Sequence, residues 1–597
     1  MTSLPARRAF AAGLGIAALT ATLIAGASPA GAAPKKPHPH APAVPLQLLA
    51  INDFHGQLEP SSPTSSSSGL PGYAAPRDGG PAFGGAAYLA TQIKQLEGQS
   101  QEPNTLTVAA GDLIGASPLL SAAYHDEPAI EALNLMGLDY ASVGNHEFDE
   151  GPEELLRMQN GGCLEGELEL ESCPDHTFQG ADWDYLSANA FYEDSGETLL
   201  PPYAVHEVQG IKVGFIGMTL EGTPGVVTPS GVAGLDFADE AETANRYARE
   251  LQQQGVEAIV VLMHEGGVQT SATDVDGCNQ LTGPVTGIVP QMSRAIDVVI
   301  TGHTHQAYNC REVNGRFVPS SSTTKGRLVT SGASIGRLVT DIDLQLDPRT
   351  GDVRSAVADN VPVVRTVTPD ADQTELIALY KKLVDPIANQ PVGTVGGAIS
   401  SSQETLFGTQ RGESPMGNLI ADGQLAATSG DAVAALMNPG GVRGGLDTGQ
   451  VTYGEAFTVQ PFGNYLSTIT LTGAQLQCVL EQQFVLGTVL QPSSTLRYTV
   501  DPAGALGSSA DPCTGSRVVD STVKIGGTAV VPTTEYRITV NNFLADGGDS
   551  FSTLLAGTER VNVVDPEDDL AALIQYIAAN PGIVAPPLDR ISVVGQP

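Results

Sequence analysis

The chain has 597 residues, 41% of them apolar and 16% charged, enough for about two to four domains, each with its own core. Its formal net charge is −37, from 29 Lys and Arg against 66 Asp and Glu, so basic groups are too sparse to neutralise a nucleic-acid backbone. An anionic partner must instead be drawn in by local positive charge, from metals and a few placed arginines.

In chain order, Arg7-Arg8, an apolar stretch and the small residues Ala30-Gly31-Ala32-Ala33 have the layout of a secretory signal, expected over residues 1–32. The paired arginines leave open whether export is Sec or twin-arginine. Residues 33–45, with Pro34, Pro37, Pro39, Pro42 and Pro45, predict an extended leader. No later segment reaches the roughly 18 uninterrupted apolar residues of a membrane span, so a secreted protein without a stable membrane anchor is expected. All six cysteines follow the signal, which suits an oxidising compartment. Sequence neighbours suggest the pairs Cys163 with Cys173, Cys278 with Cys310, and Cys478 with Cys513.

Apolar runs of strand length at 46–51, 105–110, 140–143, 212–218, 258–263 and 297–301 alternate with helical stretches. That alternation predicts an α/β domain over 46–362. Residues 61–85, rich in Ser, Gly and Pro, read as a long surface loop near the site. Between 368 and 390, Leu376, Ile377, Tyr380, Leu383, Val384 and Ile387 recur at helical spacing, with Thr368 or Asp370 as cap, and predict a connecting helix within 363–390. Residues 391–597 mix helical patches (417–428, 473–484) with strands (466–471, 536–540) and many glycines, and read as a second α/β domain.

Five short segments carry Asp, His and Asn just where strand-like runs end: Asp53-Phe54-His55-Gly56, Gly111-Asp112, Gly144-Asn145-His146-Glu147-Phe148-Asp149, Met263-His264-Glu265 and Gly302-His303-Thr304-His305. In α/β sheets ligands gather beyond the carboxyl ends of strands. All ten histidines lie at or before His305, and five fall in these segments. On an extended strand end, Asp53 and His55 point the same way and can hold one cation. Asp112 is placed to present one carboxylate oxygen to each of two metals. Asn145, His264 and His303 complete the second position, and His305 returns to the first. Two such cations ready a water and stabilise an in-line displacement at phosphorus. His146, three residues before Asp149, pairs with that carboxylate as an acid for a departing alkoxide; the bland alternative is that Asp149 caps the next helix, marked by Gly151-Pro152-Glu153-Glu154.

These motifs resemble those of the calcineurin-like metallophosphoesterases, and the Gly-Asn-His-Glu-Phe-Asp form resembles the secreted 5′-nucleotidase and UDP-sugar hydrolase branch. Four later segments are similar to that branch's C-terminal domain: Gly417-Asn418-Leu419-Ile420-Ala421-Asp422, Asn438-Pro439-Gly440-Gly441-Val442-Arg443, Pro461-Phe462-Gly463 and Asn542-Phe543-Leu544-Ala545-Asp546-Gly547-Gly548-Asp549. The resemblance implies a four-layer α/β/β/α metallophosphoesterase domain, a connecting helix and a C-terminal α/β substrate-binding domain. It further implies that Asn438, Arg443 and Arg411 bind substrate phosphate, that Phe462 and Phe543 sandwich a nucleobase, and that Asp549 binds ribose hydroxyls. The implied activity is a 5′-nucleotidase acting on nucleoside monophosphates, extending to diphosphates or UDP-sugars, with two divalent metal ions (Zn, Mn or Fe) and a small nucleotide as partner. Two alternatives are a 2′,3′-cyclic phosphodiesterase with 3′-nucleotidase activity and a secreted binding protein on the same scaffold. One departure is His305, where well-known nucleotidases of this branch carry Gln and the wider superfamily has His, so metal preference stays open.

Overall fold

The computed structural model describes residues 41–60, 69–74, 80–99, 104–164, 172–270, 273–563, 565–566 and 568–595. The expected signal, 1–32, lies outside the described residues, as does most of the expected leader. That leader ends sooner than its prolines suggest, because the first strand already begins at Val44 and pairs Pro45 with Gln345.

The first half is built on two mixed sheets. In chain order the strands are β1 (Val44–Ile51), β2 (Thr105–Ala110), β3 (Leu138–Ser142), β4 (Asp184–Leu186), β5 (Tyr203–Val208), β6 (Ile211–Thr219), β7 (Ala258–His264), β8 (Val298–Thr301), β9 (Ala307–Val313), β10 (Arg316–Pro319), β11 (Arg327–Gly332), β12 (Leu338–Leu346) and β13 (Val353–Pro362). One sheet has the order β13-β12-β1-β2-β3-β4 and the other β10-β9-β11-β8-β7-β6-β5. Within them β1, β2, β3 and β4 run parallel, as do β6, β7, β8 and β11.

Side-chain alternation sets the layers. Leu46, Leu48 and Ala50 of β1 share a core with Val260 and Leu262 of β7 and with Val298 and Ile300 of β8. The intervening Leu49 and Ile51 instead join Leu89, Ala90 and Ile93 of helix α1 (Ala86–Gln99). On the far side Ile259, Val261 and Met263 pack with Ala244, Tyr247, Ala248 and Leu251 of α2 (Glu240–Gln253), whose start is capped by Asp239 accepting from the Glu242 N–H. The order is therefore helix, sheet, sheet, helix, and every central strand is apolar on both faces because both are covered.

Helix α3 (Ala371–Ala388) is the expected connector, and Asp370 is its cap. Tyr380 and Val384 bury into the core of the first half, and Tyr453 and Phe457 of the second half pack against the same cluster. The second half holds α4 (Pro415–Ala427), α5 (Tyr453–Val459) and α6 (Gly473–Leu486), with strands β14 (Ala434–Met437), β15 (Leu466–Thr472), β16 (Gln491–Pro492), β17 (Glu535–Asn541) and β18 (Thr558–Asn562) in the order β16-β14-β17-β15-β18. Leu436 packs with α6 residues on one face, and Met437 with α4 residues on the other. Disulfides join Cys163–Cys173, Cys278–Cys310 and Cys478–Cys513, the pairs suggested by sequence proximity. The described parts of the 61–85 loop are tied down rather than loose: Leu70 and Phe83 are buried with Val275, Ala307 and Leu338.

One buried carboxyl links this scaffold to pH. Asp297 accepts from the Ile259 N–H at 3.0 Å, and burial, outweighing that bond and Arg327, pushes its pKa from 3.8 up to about 8. The folded state thus binds this proton more tightly than the unfolded chain, so its stabilising contribution is full below pH 3.8 and is lost as pH rises through about 8. Asp297→Asn keeps an acceptor without the charge. Its melting temperature relative to wild type is expected to be higher at pH 9 than at pH 5, and thermal melts at the two pH values check this; a pH-independent difference would refute it.

Candidate metal centre and substrate cleft

The loops after β1, β2, β3, β7 and β8 converge at one end of the two sheets. Asp53 and His55 follow β1, Asp112 follows β2, Asn145 follows β3, His264 is the last residue of β7, and His303 and His305 follow β8. The extended geometry expected for Asp53 and His55 is not found. Their φ angles are 50° and 49°, and Asp112 (50°), His303 (67°) and His305 (55°) are also left-handed. Non-glycine residues in that region carry strain of about 1–3 kcal/mol each, and such strain gathers at functional sites. It is held by cross-loop bonds: the Asp53 N–H donates to Gly111 O, the His55 N–H to Asp112 O, and the Ile335 N–H to Asp53 O.

The side chains form two groups, Asp53 with His55 and His305 and Asp112 with His264 and His303, and a third set of Asp112 with His55 and His146 lies between them. In one, His305 Nε2 lies 3.0 Å from His55 Nε2 and 3.5 Å from Asp53 Oδ1. In the other, His264 Nε2 lies 3.0 Å from Asp112 Oδ2 and 3.2 Å from Asn145 Oδ1, with His303 Nδ1 3.0 Å from the same amide oxygen. Asp112 Oδ2 is also 3.8 Å from His55 Nε2. A single oxygen therefore faces both groups, not one oxygen each as the sequence suggested, because Oδ1 accepts the His146 N–H at 2.9 Å.

These donors fit divalent cations. His264 Nδ1 bonds Ala110 O at 2.8 Å and His55 Nδ1 bonds Gly115 O at 2.9 Å, which assigns the ring protons to Nδ1. The Nε2 atoms of both rings then face inward, His264 toward the oxygens of Asp112 and Asn145 and His55 toward His305. Against burial, Asp112 raises the His264 pKa to about 10; a divalent cation would take the place of that proton, and the backbone carbonyls behind the rings fix their tautomers. Burial holds the imidazoles of His55, His303 and His305 below their ordinary pKa, favouring the neutral form that coordinates a metal. Mixed Asp, Asn and His donors suit Zn, Mn or Fe.

His146 Nδ1 is 2.7 Å from Asp149 Oδ2. Burial opposes charge on this imidazole, but Asp149 and Asp112 outweigh it and raise its pKa above the ordinary value. Asp149 does not cap the following helix, Pro152–Asn160, which starts at Gly151 without a side-chain cap. Two positioning residues escaped the sequence reading. Glu147 is buried and accepts three backbone N–H bonds, from Leu113 at 2.7 Å, Gly144 at 2.5 Å and Asp112 at 3.0 Å, so it ties the Asp112 loop to the Asn145 loop. Asn52 bonds Asp53 Oδ2, Ala333 O and the Gly332 N–H. The partners that define their roles, Asp112 and Leu113 for Glu147 and Gly332 and Ala333 for Asn52, are remote in sequence, so spacing gave no signal of them. Gly144 is required here because a Cβ would strike the Asp112 carboxylate.

The second half closes the site. Arg443 has its guanidinium 5.8 Å from the Phe462 ring, and burial lowers its pKa against the opposing charges of Asp112, Asp149 and Asp53. Phe462 lies nearly parallel to the His146 imidazole, 5.8 Å between centroids and 17° between planes. Asn438 donates to Asp549 Oδ2 at 3.0 Å and accepts from Asn541 at 3.0 Å, while burial raises the Asp549 pKa. Phe543 packs over Gly548, where a Cβ would meet its ring at 2.5 Å. All five line one cleft of about 650 Å³ together with Asp112, Asn145, His146, Asp149, His303 and His305. Arg411 does not line it. Its short strand, Gln410–Arg411, pairs with Thr405–Phe407 and leaves the side chain exposed. Asn464, buried beside Phe462 in sequence, lines the cleft and was not anticipated.

Comparison with known proteins matches residues 46–307 to the calcineurin-like phosphoesterase family and residues 391–556 to the 5′-nucleotidase C-terminal domain family. The chain is 32% identical over 548 residues to endonuclease YhcR of Bacillus subtilis, covering 89% of this chain and 40% of that protein. It is 31% identical over 566 residues to cell wall protein Lmo0130 of Listeria monocytogenes, covering 90% of this chain and 67% of that protein. The chain belongs to the calcineurin-like phosphoesterases with a 5′-nucleotidase C-terminal domain. It spans two fifths of the first relative's length and two thirds of the second's. A solved 5′-nucleotidase precursor from Thermus thermophilus superposes with a TM-score of 0.71 at 26% identity, covering 93% of this chain and all of that one. The cleft lies between the half that carries the candidate metal ligands and the half that matches the nucleotidase C-terminal domain.

Proposed function

We propose that this chain is an exported, metal-dependent 5′-nucleotidase that hydrolyses nucleoside 5′-phosphates to nucleoside and phosphate. One observation carries the reading: a single cleft is lined both by metal-ligand donors with His146 and by Phe462, Phe543, Asn438 and Asp549, with Phe462 against the His146 ring and Arg443 near both sets. Asp53, His55 and His305 would hold one divalent cation, Asn145, His264 and His303 the other, with Asp112 shared; bound there, the cations supply a water of lowered pKa and neutralise phosphoryl charge. The Arg443 guanidinium offers a fork of donors to the phosphate. His146, with Nδ1 bonded to Asp149, has Nε2 available to give a proton to the departing 5′-oxygen. Phe543 and Phe462 present ring faces to a base, and Asp549 accepts from sugar hydroxyls.

Domain limits of 46–362, 363–390 and 391–597 go with this reading, as do residues 1–32 as a removed signal. Three disulfides support export, and among the described residues no helix is long and apolar enough to cross a membrane.

A phosphate-release panel of AMP, UDP-glucose, 2′,3′-cyclic AMP and 3′-AMP tests the proposal. AMP is expected to turn over far faster than the cyclic compound or 3′-AMP; dominance of the cyclic compound would overturn it. Phe543→Ala is expected to raise KM for AMP about 5- to 100-fold, the worth of one base–aromatic stack, with kcat little changed. An unaltered KM would remove Phe543 from the base site.

A further inference from the structure

Helix Glu127–Met136 starts from a corner of two left-handed residues, His125 with φ 51° and Asp126 with φ 61°. Asp126 stands at the N-cap, where an aspartate ordinarily turns its carboxylate onto a free N–H of the first turn, yet its side chain makes no cap bond. It faces the other way. Oδ2 accepts from the Gly115 N–H at 2.9 Å and Oδ1 from the Ser121 hydroxyl at 2.6 Å, with the residue only 5% exposed. Gly115 is the residue whose carbonyl oxygen bonds His55 Nδ1 at 2.9 Å. Its backbone also runs against the acid pair, since a Cβ there would meet the His146 Cβ at 2.7 Å and Asp149 Oδ2 at 2.9 Å. A Cβ on Gly56, next to His55, would meet Asp126 Oδ1 at 2.8 Å. Asp126 therefore backs the loops that carry His55 and Asp112. His125 fastens the other flank of the corner: its Nδ1 is 2.6 Å from Oε2 of Glu150, the residue after Asp149.

We propose that Asp126 is a positioning residue of the metal centre, holding Gly115 so that its carbonyl keeps the His55 ring turned with Nε2 toward the cation position. The inference rests on the metal-dependent reading and extends it beyond the ligands themselves. A helix start alone would not demand this aspartate, because glycine adopts a left-handed conformation without strain and costs an N-cap little. What glycine cannot supply is an acceptor for the buried Gly115 N–H, and an N–H left unpaired draws its loop toward another partner or toward water. Groups that fix the orientation of a ligating histidine matter to the metal, and their loss weakens binding about 10- to 100-fold. Burial raises the Asp126 pKa. A neutral amide thus suits the same place and can keep both bonds, its oxygen on the Gly115 N–H and its nitrogen donating to the Ser121 oxygen.

The test compares wild type, Asp126→Gly and Asp126→Asn as full-length protein, stripped of metal and titrated with Co(II). Calorimetry reads affinity, and the visible absorption of bound Co(II) reads the ligand geometry. Asp126→Gly is expected to bind Co(II) at the His55 position about tenfold more weakly with an altered absorption band, and Asp126→Asn to stay within about threefold of wild type with the band unchanged. Circular dichroism is the control, since glycine should leave the helix content native. Ser121→Ala removes only the second bond to the carboxylate and should give a smaller loss of the same kind. Wild-type affinity and absorption in Asp126→Gly, or equal losses in Asp126→Gly and Asp126→Asn, would overturn the inference and leave the metal centre standing. Should Asp126→Gly lose its fold, Ser121→Ala decides: affinity equal to wild type there would overturn the inference. Wild type that takes up no Co(II) would overturn the metal-dependent reading itself, and the inference with it.

Discussion

Asp112→Ala is expected to lower phosphate release from AMP by about 10³-fold or more and to cost the protein bound metal. Its Oδ2 is the one atom that faces both ligand groups, 3.0 Å from His264 Nε2 and 3.8 Å from His55 Nε2. Removing it separates the two positions, and several kcal/mol of transition-state charge stabilisation converts to that factor. Plasma mass spectrometry of dialysed protein should show fewer than the two metals per chain proposed for wild type. Circular dichroism should stay native, because Asp112 lies in a loop beyond β2 and not in a strand core. Full metal content with full activity in this variant would end the two-metal reading. The same logic predicts that a chelator abolishes wild-type activity and that added Zn or Mn restores it.

His146→Ala is expected to lower kcat for AMP about 10²- to 10⁴-fold, the usual worth of general acid catalysis, with metal content intact. His146 hydrogen-bonds Asp112 through its backbone N–H, and alanine keeps that bond, so the loop that carries the ligand groups retains its tie when the ring is removed. The loss should shrink on a nitrophenyl phosphate, whose leaving group needs no proton. The pH dependence follows from the direction of the shift. Asp149 and Asp112 raise the imidazole pKa against burial, so the acid form is present below that pKa and is lost as pH rises through it. Wild-type kcat should therefore fall on the alkaline side, and the variant should lack that limb. Equal losses on AMP and nitrophenyl phosphate would point to a binding role instead.

The alternation of strand and helix and the connecting helix with its Asp370 cap were legible from the sequence because they depend on local periodicity; the three cysteine pairs were legible as successive cysteines along the chain, though two of them span 32 and 35 residues. The convergence of the candidate metal ligands was legible for a related reason. Each sits at or shortly after the end of a strand, and parallel strands bring their ends together whatever the intervening sequence. Geometry within those segments was not legible: Asp53 and His55 looked like an extended pair, and the structure turns both into left-handed conformations. That turn is imposed by bonds to Gly111, Asp112 and Ile335, none of them a local neighbour.

Residue chemistry and spacing alone thus determined that this chain gathers Asp, Asn and His donors at strand ends and carries a second α/β half with aromatic and arginine motifs. Only the tertiary structure decided which of these meet. It set Asp112 Oδ2 toward both ligand groups, placed Arg443 and Phe462 against His146, left Arg411 in solvent, and recruited Glu147 and Asn52 as supports. The reason is physical: donor type is a property of one side chain, but coordination, stacking and exclusion of water depend on distances across loops and across the two halves, which packing settles.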